Sequence, residues 1–480
     1  MHVQNASSKK DDEQVGMTAE ETMMSSFTPW SAKRGAILSK YTTSAKLSIT
    51  TSFLQPREAP TVDKTKARLE SLEDEDEGSV QTMLDLSQQD YVRHIEDLQK
   101  QLIVAWDADQ RVKALKIVIQ NAKLLTDPKP PQFYPSKFVL ITEILDTFGN
   151  LVYDRIHKKS TYVEKGRELP LPKKFTPDMV SESAKETCKN WFYKTASIRE
   201  LIPRIYVEMA LLKCYNFLSV VEYDSALERL ARMIRGVGNP LVATYCRAYL
   251  CRKGMEVAPT SRKHLMSLFE DFCFAFGQLA KDAQRDFMSE FALTYEQYIN
   301  LYVPGLEWIL QCVAHHSSDA VLDTLLKNYT DKCNNAMVLD CIMSSFEPMY
   351  VSRHALRFTE LIRTADHEAH PVHLLYHTLG VNLVLVPPKP DAARAILEEV
   401  WSVVSKLEDL NEYMRCAEVF IELPSKHLSP VEVDALLGDV VQHLSADRGK
   451  TERALPQVQS ILEKILTAIN DFNAVFSMVR

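Results

Sequence analysis

The segment Ser197-Ile198-Arg199-Glu200-Leu201-Ile202-Pro203-Arg204-Ile205-Tyr206-Val207-Glu208-Met209 decides how the rest of the sequence is read. Ile198, Ile202, Ile205, Met209 and Leu212 recur at three and four, which places them on one core-facing stripe of a helix. Glu200, Arg204 and Glu208 recur at four on another face, so the arginine can pair with a carboxylate a turn before it and a turn after it. Ser197 and Glu200 have the spacing of a capping box, whereas Pro203 lacks the N–H that an interior position would use. Either the helix is kinked at Pro203 or it begins there. Both versions put Arg204 and Tyr206 beside a break in the backbone, where a scaffold presents contacts. A solvated ion-pair ladder over a core stripe accounts for the same spacing.

Stripes of this kind continue in both directions. Upstream, Leu84, Tyr91, Ile95, Leu98 and Leu102 make one face and Val112, Leu115 and Ile119 the next, with Asp107 between them as a start signal. Pro128, Pro130 and Pro131 break the array before a third helix, about 134–156, with Phe138, Ile141, Leu145, Phe148 and Val152 facing inward. The Lys-rich insert 157–177 contains Pro170 and Pro172 and has no stripe, which predicts a long surface loop. Downstream, the pattern predicts helices over roughly 178–196, 198–218, 222–236, 240–254 and 260–280. Further helices are expected around 306–315, 320–329, 336–346, 352–365, 370–384, 391–407, 412–421, 430–444 and 455–472. Helix and turn together take about 20 residues and a pair about 40, the period of a HEAT-like array. The expected fold is all-α: a HEAT-like α-solenoid of antiparallel helical pairs over 79–480.

Residues 1–78 read as a disordered leader. Its first 26 residues are polar and cannot bury enough apolar surface to offset chain entropy. The acidic run 73–77 reads as a solvated linker. Between them, Phe27, Pro29, Trp30, Ile37, Leu38 and Tyr41 give the stretch 27–41 the composition of a short docking segment. Folding back on the array and contact with another molecule suit that composition equally.

Composition excludes several classes of function. The 480 residues carry 56 basic and 64 acidic side chains, a net charge of -8, and no basic block that could track a phosphate backbone. Nucleic acid is not an expected partner. The nine cysteines are scattered without paired spacing and read as reduced cytosolic thiols. Neither a signal peptide nor a membrane span is expected, since the most apolar run, Leu374 to Val386, is interrupted by His377, Thr378 and Asn382. Gly449-Lys450-Thr451 lacks the glycine that a phosphate-binding loop needs at 444, where leucine stands. His370, His373 and His377, with His367 a turn earlier, share a helical face and offer imidazoles to zinc, but no second set of ligands is visible. Satisfied or exposed histidines fit better, and no cofactor is expected.

Pro203-Arg204-Ile205-Tyr206-Val207 resembles the Pro-Arg-Leu-Tyr-Leu motif of retromer-type large subunits, which docks an arrestin-fold partner. Ile205 and Val207 stand where that motif has leucines. Ala184 to Phe192 and Met233 to Val242 resemble the Retriever branch of that family, and the 27–41 stretch resembles its leader. The resemblance implies a non-catalytic scaffold, cytoplasmic and peripheral on endosomes through its partners, that helps return membrane cargo to the plasma membrane. It implies as partners an arrestin-fold subunit, a phosphoesterase-fold small subunit, a coiled-coil and COMM-domain assembly, and a sorting nexin cargo adaptor. In the family the solenoid continues further. Ile461, Ile465, Ile469, Phe472, Phe476 and Val479 are still apolar at this end, so the chain is expected to be an N-terminal half or a short isoform. The phosphoesterase-fold subunit belongs largely to the other half. Two alternatives share parts of the pattern: a HEAT-type adaptor of another transport or assembly complex, and a metal-dependent hydrolase using the histidines.

Overall fold

Prolines and short polar side chains set the helix boundaries. Asn239 caps the helix that opens at Pro240, its side chain accepting from Val242 N at 3.1 Å. Thr294 and Gln297 close a reciprocal capping box, and Asn335 accepts from Met337 N at 3.0 Å. In each case a backbone donor with no intrahelical partner is satisfied at the point where the chain turns. The computed structural model describes residues 27–51, 82–164, 167–219, 222–279, 284–427, 430–446 and 448–468.

The N-terminal part comprises α1 (Trp30–Lys40), β1 (Leu47–Thr51), β2 (Thr82–Leu86), α2 (Gln88–Asp107), α3 (Arg111–Lys123), α4 (Tyr134–Lys159), β3 (Thr161–Glu164), β4 (Arg167–Pro170), α5 (Glu182–Ala196) and α6 (Leu201–Ala210). β1 and β2 pair antiparallel, Leu47 opposite Leu86, and so do β3 and β4, Thr161 opposite Pro170. Then follow α7 (Glu222–Ile234), α8 (Pro240–Val257), α9 (Lys263–Gly277), α10 (Arg285–Glu290), α11 (Tyr295–Asn300), α12 (Val303–Ala314), α13 (Asp319–Lys332) and α14 (Ala336–Ser345). The last described helices are α15 (Pro348–Arg353), α16 (Ala355–Thr364), α17 (Val372–Leu385), α18 (Pro390–Val404), α19 (Leu410–His427), α20 (Pro430–Ala446) and α21 (Arg448–Ala468).

From α7 onward the helices stack in two rows. One row is α8, α12, α14, α17, α19 and α21, each packed on the next. The other begins with α7, α9 and α13 and continues through α16 and α18. Ion pairs tie its members to one another and to α15 and α20: Arg235 to Asp271, Lys332 to Glu270, Arg353 at the end of α15 to Asp319, Arg357 to Asp323, and Arg394 to Glu432 on α20. The Arg353, Arg357 and Arg394 rungs join residues 34, 34 and 38 apart in sequence, which is one repeat of the array. A single buried apolar cluster runs from Ile37 to Ile465. Sequential stacking around one continuous core is an α-solenoid.

The structure differs from expectation at several boundaries. Asp107 ends α2 instead of opening α3, because Ala108 to Gln110 turn the chain with Asp109 at φ 58°. The 157–177 insert is no simple loop: α4 runs through its start to Lys159 and the β3–β4 hairpin follows. Two six-residue helices, α10 and α11, fall in a stretch for which no helix was expected. Residues 27–47 join the folded body and are not a disordered leader. The expected tail 1–26, the acidic run 73–77, and Ile469, Phe472, Phe476 and Val479 lie outside the described residues.

Candidate partner-binding site

α6 begins at Leu201, so Pro203 is its third residue and lacks an N–H that the first turn would leave unpaired anyway. Arg204 N bonds to Glu200 O at 3.2 Å, and the helix is neither kinked at Pro203 nor started by it. Ser197 does not cap α6. It closes α5, its hydroxyl donating to Lys194 O at 2.7 Å, and the capping-box spacing is a coincidence of two adjacent helix ends.

The expected ladder of Glu200, Arg204 and Glu208 is broken up by other helices. Glu200 pairs with Lys123 on α3 at 2.6 Å. Glu208, with only 8% of its side chain exposed, is held by both terminal nitrogens of Arg229 on α7. Arg204, half-buried between them, forms no ion pair among the described residues, and its Nε is buried without a hydrogen-bond partner. Its two natural counter-ions are engaged elsewhere. The part of the guanidinium that is exposed is therefore left without a charge partner among the described residues.

The other four motif residues line the core. Pro203, Ile205, Tyr206 and Val207 are all buried, and the Tyr206 ring lies 5.5 Å from that of Tyr249 on α8. Burial pushes the Tyr206 phenol well above its usual pKa. Tyr206 is therefore not presented at a backbone break as the sequence suggested. Of the five, Arg204 alone is accessible without unpacking α6.

The 27–41 segment docks on this same chain. Trp30 packs against Phe138 on α4 and Trp308 on α12, under the guanidinium of Arg252 at 4.5 Å. Phe27 meets Trp308 and His315. Gln311 brackets Thr28, accepting from its N at 3.3 Å and donating to its O at 2.8 Å. Lys33 pairs with Glu307 at 3.0 Å and Arg34 with Glu143. Ile37 and Tyr41 are buried, Leu38 is half-buried, and Pro29 is exposed. Ser136 donates to Tyr41 O at 2.6 Å, and Tyr41 donates to Asn300 O at 3.1 Å.

The histidines of α17 and of the turn before it diverge. His370 faces Asp340 on α14 at 3.2 Å, and His373 faces Glu412 on α19 at 3.4 Å. Burial pushes the pKa of His373 and of His377 down. Among the described residues no three His, Cys, Asp or Glu side chains are placed to hold a metal ion. Gly449-Lys450-Thr451 lies inside α21. None of the described helices is long and apolar enough to cross a membrane. All nine cysteines are free, and all but Cys333 are buried.

Sequence reasoning did not foresee the Lys123–Glu200 and Arg229–Glu208 pairs, because each joins helices distant in sequence. The isolation of Arg204, which singles it out, follows from those two pairs.

Two family models together match most of the chain. One, described as VPS35L, matches residues 29–301, and the VPS35L C-terminal domain model matches 317–480. The chain is 44% identical over 476 residues to a Danio rerio protein named VPS35 endosomal protein-sorting factor-like, covering 98% of this chain and 48% of the relative. It is 44% identical over 460 residues to the Homo sapiens protein of that name, covering 95% and 47%. With a Drosophila melanogaster relative the identity is 38% over 451 residues, 91% and 47% covered. The chain thus spans about half the length of these relatives.

Proposed function

The chain belongs to the VPS35L family, and from that premise we propose that it is a non-catalytic endosomal sorting scaffold that grips an arrestin-fold subunit through Arg204 and helps return membrane cargo to the plasma membrane. The observation that carries the reading is the missing counter-ion: Lys123 and Arg229 hold the two carboxylates that flank Arg204 on α6. A carboxylate or carbonyl on the partner completes the guanidinium, and the rigid core stripe beneath it fixes where the partner sits. The solenoid acts as a passive arm that sets distances between bound subunits, and no bond is broken. A phosphoesterase-fold subunit, a coiled-coil and COMM-domain assembly and a sorting nexin belong to the same proposal, as does peripheral attachment to endosomes.

The test is Arg204→Glu, with binding of the arrestin-fold subunit measured by calorimetry. A contact arginine of this kind is worth on the order of 2 kcal/mol, about 30-fold in Kd, against under about 1 kcal/mol for an exposed ion pair. The melting temperature stays near that of the parent, since no ion pair is lost. Undiminished affinity in Arg204→Glu removes Arg204 from the interface and the reading with it.

A further inference from the structure

The span 111–213 carries 19 lysines and arginines against 11 carboxylates, although the chain as a whole stands at -8. Much of this excess is exposed where α4 ends and the hairpin begins. Leu171 N bonds to Ser160 O at 3.2 Å, and His157 Nε2 donates to Pro172 O at 3.1 Å. These two bonds close the base of the hairpin and set Lys158 and Lys159 beside Lys173 and Lys174. All four lysines are exposed. Lys213 lies next to them, 4.6 Å over the ring of Tyr153, which packs at a tilt against Phe217; Phe175 stacks on Phe217 from the hairpin side. None of these five lysines forms an ion pair among the described residues, whereas nearby Asp109 is already held by Arg111 and Arg155. Asp154 and Asp178 are the exposed carboxylates closest in sequence.

We propose that the base of the β3–β4 hairpin is a lipid-contact surface that rests on anionic membrane headgroups. The chemistry favours a bilayer over an acidic polypeptide. Among the described residues the exposed cations of this base are all lysines, flexible point charges that follow a fluid layer of headgroups, and the neighbouring Arg111 and Arg155 forks are already taken by Asp109. The Tyr153, Phe217 and Phe175 ring cluster beneath them holds the hairpin base rigid, so the charges act together. No insertion is involved, only surface attraction within a Debye length of the membrane.

The experiment is co-sedimentation of the whole chain with phosphatidylcholine vesicles, with and without phosphatidylserine, at ~0.1 M and ~0.5 M salt. Binding is expected only with phosphatidylserine and only at the lower salt. The combined variant Lys158→Glu, Lys159→Glu, Lys173→Glu, Lys174→Glu should bind at least about tenfold more weakly. The charge-reversed control Lys327→Glu, Lys389→Glu, Lys406→Glu, on exposed lysines of α13, the turn before α18 and the turn after it, should bind as the parent does. Circular dichroism verifies folding, and the matching Lys→Gln set replaces the quadruple reversal if that one unfolds. Equal binding to neutral vesicles, undiminished binding by the quadruple variant, or capture of polyglutamate without any vesicle affinity overturns the assignment. The Arg204 reading is separable: Arg204→Glu should keep vesicle binding, and the quadruple variant should keep the arrestin-fold subunit.

Discussion

At Gly149 and Gly35 the same substitution has opposite consequences. A Cβ at Gly149 would lie 2.2 Å from Ala210 O, so alanine there forces α4 and α6 apart. At Gly35, on the exposed side of α1, nothing lies within 4 Å. Gly149→Ala should lose about 2 kcal/mol or more, while Gly35→Ala should gain up to about 1 kcal/mol of local helix stability; thermal melts of the two variants check both signs. His264, 1% exposed, gives the clearest pH dependence. Burial, the leading cause, pushes its pKa from 6.5 down to about 4. The unfolded chain therefore takes up a proton between these values that the folded chain refuses. Its contribution is whole above about pH 6.5 and is lost as pH falls toward 4, on the order of 2 to 3 kcal/mol. His264→Gln should flatten the fall in melting temperature between pH 7.5 and 4.5, and an unaltered slope would count against this origin. At this scale the sequence reveals which residue types stand together on α6 but not which are already engaged. Lys123 lies 77 positions before its partner Glu200, beyond the reach of helical spacing.

Among the elements, long helices with a 3.6-residue stripe were legible and short ones were not. α10 and α11 have six residues each, less than two turns, too few for a period to register. The four-residue strands β3 and β4 fail for the same reason, and their turn signal was absorbed into a proline-rich insert. α1 was visible as an apolar patch, but its target was not, because the surface that receives it is assembled from α4, α8 and α12. Trp30→Ala should cost about 2 to 3 kcal/mol, below the range for a fully buried tryptophan because Trp30 is half-exposed. Its melt and the binding of a hydrophobic dye should both report an uncovered Trp308 and Phe138.

Over the whole molecule, the ion pairs between stacked helices lie mostly at the surface, and their rungs are individually weak. Arg357→Ala, Asp323→Ala and the double variant should show a coupling under about 1 kcal/mol that shrinks at ~0.5 M salt. A larger, salt-resistant coupling would mean that the charged ladder rather than the apolar core sets the stacking. The solenoid itself was readable from element order. Its repeat could be placed only near 40 residues from sequence, because turns and helices vary in length, while the 34- and 38-residue rungs measure it directly. The seat of α1 also bears on how the chain is made. Thr28 is among the first described residues to leave the ribosome, yet Gln311, which brackets it, is translated 283 residues later. At about 5 to 20 residues per second, that interval lasts roughly 15 to 55 seconds. Throughout it the nascent α1 has only the α4 and α8 sides of its seat, and Phe27, whose ring partners are Trp308 and His315, stays open to chaperones until α12 emerges.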